Sequence, residues 1–83
     1  MSYDKVTQAK DRLLIGLKQT EKAMKAGQVS QIVIASDIDS AMRLKLVNLA
    51  NELMIPYEMV DSNKRLGKAC GIEVGTAVVA IRQ

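Results

Sequence analysis

The chain has no histidine, no tryptophan and no phenylalanine, and its 83 residues include only two tyrosines, one proline and one cysteine. Without histidine the commonest general base and the usual zinc ligand are both missing. Cysteine-histidine and serine-histidine-aspartate mechanisms are excluded with them, and no metal site is expected. Tyr3 and Tyr57 are too few to build the stacked-base platform of the common single-strand RNA-binding sheets. Cys70 has no partner for an internal disulfide, and a lone cysteine in so short a chain reads as an apolar filler. Apolar runs are only a few residues long, and Met1-Ser2-Tyr3-Asp4-Lys5 leads into polar sequence. Neither a signal peptide nor a membrane span is therefore expected, and the location implied is cytoplasmic. No Gly-x-x-x-x-Gly-Lys-Ser/Thr loop occurs and no Gly-x-Gly-x-x-Gly opens a helix, so no nucleotide cofactor is indicated.

What is present fits one folded domain over residues 1–83. Hydrophobic residues make up 48% and charged residues 25% of the chain, a balance typical of globular domains. A chain of this size buries about 60–65% of the surface it exposes when unfolded, enough for one modest core. No repeat or low-complexity tract interrupts it.

Helical and strand-like patterns alternate. Residues 3–10 read as a polar helix, and Leu13-Leu14-Ile15 as a short first strand ending at Gly16. A second helix lies between Gly16 and Gly27, with Leu17, Thr20, Met24 and Gly27 on its packed face and Gly27 as its C-terminal cap. Gln31 to Ala35 is apolar and rich in β-branched residues, the pattern of a strand covered on both faces. Ser36 to Ser40 supplies turn and cap chemistry for a helix over 41–54, whose Leu46, Leu49, Ala50 and Leu53 point inward and which Pro56 stops. Tyr57 to Val60 is a third strand. Asp61-Ser62 caps a short helix ended by Gly71, and Thr76 to Ile81 is the last strand. The sum is an α/β fold, a three-layer α/β/α sandwich around a four-stranded sheet, here expected to be mixed.

The net charge of +3 is unevenly placed. Residues 16–27 set Lys18, Lys22 and Lys25 against Glu21, and residues 62–75 set Lys64, Arg65 and Lys68 against Glu73. Each segment nets +2, whereas residues 28–61 net −3. If the two basic segments meet, one end of the molecule suits a polyanion; if not, the lysines only solubilise. Lys18, Lys22 and Lys25 follow the i, i+4, i+7 spacing of one continuous stripe, with Gln19 beside its start. A cation in the first turn of a helix is disfavoured by roughly 0.3–1 kcal/mol. A phosphate backbone would relieve both that cost and the repulsion within the stripe, and the Gln19 amide can donate to and accept from a base edge. Asp37 and Asp39 form a carboxylate pair at a helix start, where acids ordinarily serve as caps. The run Leu66 to Thr76 holds three glycines around Ile72-Glu73-Val74. Those apolar side chains either pack on a partner or fold back as the first residues of the strand.

Gly16-x-Lys18-Gln19-x-x-Lys22 and Leu66-Gly67-Lys68-Ala69-Cys70-Gly71-Ile72-Glu73-Val74-Gly75 together resemble the kink-turn RNA-binding ribosomal protein family. These are the "seven-Ae" large-subunit proteins of archaea and their relatives, and the chain is most similar to the short bacterial YbxF group. The resemblance spans about residues 3–82 and includes Ile55-Pro56-Tyr57. It implies a non-enzymatic, ribosomal or ribosome-associated protein that binds a kink-turn, an RNA helix bent at a bulge followed by sheared G·A pairs, and favours the bent form. By similarity, Gly16, Lys18 and Gln19 would lie at the G·A pairs, Lys18 and Gln19 reading guanine edges. Lys22 would contact a base edge or a neighbouring phosphate. Lys25 and Lys68 would add charge to the RNA-binding set, and Ile72, Glu73, Val74 and Gly75 would cover the bulged nucleotides. Archaeal members carry Asn-Glu in place of Lys18-Gln19 and Ser-Arg-Pro in place of Glu73-Val74-Gly75, so affinity and RNA choice are expected to differ from theirs. The competing reading is a protein-protein module of a ribonucleoprotein that uses the apolar loop. Nothing in the sequence requires more than a monomer.

Overall fold

Val29–Ala35 forms the longest strand, and its stretch from Ile32 to Ala35 is apolar and buried on both faces. Ile32 and Ile34 point into one half of the core, Val33 and Ala35 into the other. The computed structural model describes residues 2–83. In chain order the elements are α1 (Ser2–Gln8), a 3-10 turn over Lys10–Arg12, β1 (Leu13–Ile15), α2 (Leu17–Lys25), β2 (Val29–Ala35), α3 (Ser40–Glu52), β3 (Tyr57–Val60), α4 (Asn63–Ala69) and β4 (Val78–Arg82). The strands lie in the order β1-β4-β2-β3. β4 runs antiparallel to β1 and β2, and β3 runs parallel to β2, so the sheet is mixed as expected.

Two half-cores make the three layers. On one face Ala23 and Met24 of α2 and Leu46 and Ala50 of α3 close over Ile32, Ile34, Val78 and Ala80. On the other, Val6 of α1 and Leu66 and Cys70 from α4 and its C-cap close over Val33, Ala35, Val60 and Val79. Side chains such as Leu46 and Leu66 are fully buried, each contributing about 1.5–3 kcal/mol by leaving water.

The differences from the sequence reading lie at element ends. The first helix stops at Gln8 and the chain tightens into the 3-10 turn, which leaves Lys10 exposed. β2 begins two residues earlier than expected, at Val29, beyond a bulge opposite β4. The last strand begins at Val78, not Thr76, because the Thr76 N–H bonds the Asn63 carbonyl and its hydroxyl donates to Val78. α3 ends at Glu52, and Met54 takes a left-handed conformation with φ of 57°. Leu53 is consequently turned out of the core and 38% exposed. Gly27 caps α2 in the left-handed region, with φ of 72°, but it is exposed and not part of the packed face; Ala23 takes that place.

Thr20 lies wholly buried in α2, and its hydroxyl has no hydrogen-bond partner among the described residues. A buried unpaired hydroxyl costs about 1–3 kcal/mol, while a valine of the same shape carries no such cost. Thr20→Val should therefore raise stability by about 1 kcal/mol, or about 4–8 °C in melting temperature for a domain of this size; thermal denaturation checks it. Cys70 is buried at the C-cap of α4, and burial pushes its thiol up to about 11. The nucleophilic form is the thiolate. A thiol reagent at pH 8 should thus leave the native protein unlabelled over the minutes in which the denatured chain reacts fully.

Candidate nucleic-acid interface

Three helices begin at one end of the sheet. Ile15, the end of β1, stands opposite Val79 of β4, and the ends of β2 and β3 pair as Ala35 with Val60. α2, α3 and α4 each start just past these residues. Their starts differ in how the backbone N–H groups are satisfied. At α3, Asp39 accepts from Ala41 and Met42 at 3.1 and 3.3 Å. At α4, Ser62 accepts from the Arg65 N–H at 3.2 Å, and Asp37 accepts from the Asn63 N–H at 2.8 Å and from its side-chain amide at 3.2 Å. Both aspartates are thus engaged as caps.

α2 has no such partner. Gly16 precedes it at φ 106° and ψ 160°, no side chain caps it, and its first turn holds no acid. A positive φ of this size is open to glycine at little cost. The first-turn N–H groups and the partial positive charge of the helix start are left without a side-chain acceptor, beside exposed Lys18 and Gln19. Lys22 and Lys25 continue the exposed stripe, with Lys25 about 10 Å from Lys18 along the axis at 1.5 Å per residue. Glu21, the one acid in this run, turns to Lys45 of α3 at 3.6 Å, which leaves the lysines uncompensated. Gln19 and Lys22 share the wall of a surface groove of about 430 Å³ that also includes Leu14 and Gln28.

The second candidate segment reaches the same end by a different route. Cys70 caps α4 and Gly71 turns the chain at φ 85°. The Ile72 N–H then bonds back to the Gly67 carbonyl at 3.1 Å, and the chain runs back along α4. At Gly67 the contact is backbone to backbone, since a Cβ there would stand 2.0 Å from the Val74 carbonyl oxygen; at Gly75 it is with a side chain, since a Cβ there would stand 2.1 Å from the Asn63 side-chain oxygen. The Thr76 N–H closes the loop onto the Asn63 carbonyl at 3.0 Å. The apolar pair divides, and neither residue belongs to the last strand. Ile72 packs against the half-core under α4, while Val74 stands 69% exposed. Glu73 and Gly75 are exposed beside it, as is Lys68 on α4. The exit of this loop is tied to the start of α2, since the Gly16 N–H donates to the Val78 carbonyl at 3.2 Å.

The geometry thus brings Gly16, Lys18 and Gln19 to the same end as Glu73, Val74 and Gly75, with Lys22 and Lys25 on one flank and Lys68 on another. A family model for ribosomal protein L7Ae/L30e/S12e/Gadd45 matches residues 1–83. The chain belongs to that family. It is 54% identical over 81 residues to an RNA-binding protein of Bacillus pumilus and 48% identical over 81 residues to the RNA-binding protein YbxF of Geobacillus stearothermophilus, covering 98% of both chains in each case. An RNA-binding protein of Halalkalibacterium halodurans is 49% identical over 83 residues, the full length of both chains. Among solved structures, the L7Ae-family fold is shared with the Giardia lamblia 15.5kD RNA binding protein at a TM-score of 0.89 and 25% identity, over 98% of this chain and 70% of that one. A protein of unknown function from Bacillus halodurans C superposes with a TM-score of 0.86 at 28% identity, over 94% of this chain and 80% of that one. No helix among the described residues is long and apolar enough to cross a membrane.

One exposed cation at the far end of α4, away from the helix starts, had no signal in the sequence. Lys10 is far from both motifs along the chain, yet its side chain lies across Gly71, with Cε 3.3 Å from where a Cβ would stand. Only the fold of the 3-10 turn against the end of α4 places it there.

Proposed function

We propose that this chain is an RNA-binding protein that recognises kink-turns and stabilises their bent form. The observation that carries the reading is the uncapped start of α2. Of three helix starts at one end of the sheet, α2 is the one that leaves its N–H groups without a side-chain acceptor and sets Lys18 and Gln19 beside them. A helix start of this kind suits phosphate and base-edge acceptors. Membership of the L7Ae-type family and the RNA-binding names of the relatives support the same class of partner.

In this reading Lys18 and Gln19 meet the edges of the sheared G·A pairs, with Gly16 allowing close approach of the backbone. Lys22 and Lys25 follow the phosphates of the adjoining stem, and Lys68 adds charge from α4. Val74 packs on an unstacked bulge nucleotide, held in place by Ile72 and Gly75 and flanked by Glu73. The protein shifts the RNA toward its bent form because it binds that form better than the extended one. Catalysis has no place in this scheme.

Calorimetric titration with a kink-turn RNA and with the same RNA carrying replaced G·A pairs tests it. Binding is expected for the first and a loss of at least tenfold for the second; equal binding overturns the kink-turn reading. In the same assay Lys22→Gln should lower the salt slope by about 0.9 if a phosphate contact is lost. An unchanged slope would place Lys22 on a base edge or off the RNA.

A further inference from the structure

A second lysine stripe runs down the opposite layer of the sandwich. Lys64 and Lys68 are exposed at i and i+4 on α4. Just past the end of α4, Lys10 reaches from the 3-10 turn to the exposed Gly71, with Nζ 3.7 Å from where a Cβ would stand. Lys64, Lys68 and Lys10 therefore follow one another along α4 and past its end, with the third charge supplied from a distant part of the chain.

The two stripes are alike in what is missing from them. Arg65, the other cation of α4, is occupied elsewhere: it lies 3.4 Å from Asp61 and 5.0 Å over the Tyr3 ring. Tyr3 donates a hydrogen bond to Asp61, which holds that carboxyl below its usual range. The local acid is thus taken up by Tyr3 and Arg65 on the α1 side of the helix. Among the described residues Lys10, Lys64 and Lys68 have no acidic partner at salt-bridge distance, and neither have Lys18, Lys22 and Lys25. Three like charges kept close together without a counter-charge repel one another, and a polyanion relieves that repulsion.

We infer that Lys10, Lys64 and Lys68 form a second phosphate-binding stripe, which holds the backbone of an RNA stem other than the one followed by α2. α2 and α4 lie on opposite faces of the sheet, so a single straight duplex cannot lie along both stripes. Two stems leaving one bend can. The loop bearing Val74 lies against Gly67, beside Lys64 and Lys68 on the helix surface, and its exit is tied to the start of α2 through the Gly16 N–H on the Val78 carbonyl. This extends the kink-turn reading and rests on it for the RNA that brings two stems together.

The experiment compares the wild-type protein with Lys10→Gln/Lys64→Gln/Lys68→Gln. All three side chains are exposed, and an unchanged circular-dichroism spectrum checks the fold. Salt dependence of binding is measured with four RNAs: a kink-turn with two long stems, the same RNA with one stem or the other cut short, and the long RNA with its G·A pairs replaced. With two long stems the triple variant should lose about 2–3 from the slope, at about 0.9 per phosphate contact. Shortening one particular stem should abolish the difference and shortening the other should leave it. An unchanged slope with every RNA overturns the second stripe, even if discrimination of G·A pairs shows that kink-turns are recognised. A loss that persists whichever stem is cut overturns the assignment to a second stem. If the wild-type protein ignores G·A replacement, the kink-turn reading fails separately, and the slopes on the long RNAs still decide whether the stripe touches phosphate. Weaker binding of the triple variant to polyglutamate, with RNA slopes unchanged, would assign the stripe to an acidic polypeptide instead.

Discussion

Gly67→Ala should destabilise the protein by about 2 kcal/mol or more, although the position lies inside a helix where alanine is ordinarily the better residue. Helix propensity alone favours alanine over glycine there by about 0.5–1 kcal/mol. Against this, the new methyl carbon would stand 2.0 Å from the Val74 carbonyl oxygen and 3.0 Å from the Val74 carbonyl carbon. Both are backbone atoms of a loop fixed on each side, by Ile72 on Gly67 and by Thr76 on Asn63. Relief requires moving the loop by an ångström or more, and overpacking of this kind costs about 1–3 kcal/mol and at times more. The net effect is a fall of about 10 °C or more in melting temperature. Gly75→Ala makes a clash of similar length, but with the side-chain oxygen of Asn63. That group can turn aside for the loss of its hydrogen bond to Asp37, about 1 kcal/mol, so the smaller loss is expected there. Thermal melts of the two variants check the order, and a Gly67→Ala protein as stable as the wild type would show that the loop does not lie on α4. Binding adds a second readout. At a temperature where Gly67→Ala is folded, its affinity for a kink-turn RNA should still fall, because Val74 has been displaced.

Gly67 also shows where sequence reasoning stops. The glycines of residues 66–76 mark a loop, and Gly71 does turn the chain as its position suggested. Nothing in the spacing says that Gly67 is glycine because another strand of backbone passes within contact distance. For the same reason Ile72 and Val74 stayed ambiguous in the sequence: two apolar residues two apart on a loop do not reveal which faces the core. The central elements were legible because β2 carries a run of apolar, β-branched residues buried on both faces, and Leu46 and Ala50 of α3 are buried where helical spacing puts them. Leu53 and Gly27 leave the faces that helical spacing assigns them because both lie past the last helical turn, where a left-handed residue redirects the chain. The α2 stripe could be read because its three charges lie within eight residues. The α4 stripe could not, since its third charge comes from Lys10.

Lys18→Gln should make the protein more stable and a poorer RNA binder. The lysine occupies the first turn of a helix without an acidic residue or a side-chain cap, where removing a cation gains about 0.3–1 kcal/mol. The same change removes a charge placed at the proposed contact with the G·A pairs. A good contact of this kind is worth about 1–3 kcal/mol; glutamine keeps some hydrogen-bonding capacity, so a loss of about tenfold in affinity is expected. Lys22→Gln provides the control because it lies in the last turn of α2. A cation there favours the helix, so its removal should slightly lower stability while also weakening binding. The two variants thus move affinity in one direction and stability in opposite directions. Denaturant melts and titrations on both proteins test the pattern. If Lys18→Gln loses stability, the helix start is not the open, electropositive site described above. If it binds as well as the wild type, Lys18 is not held in the first turn of α2 for the sake of RNA.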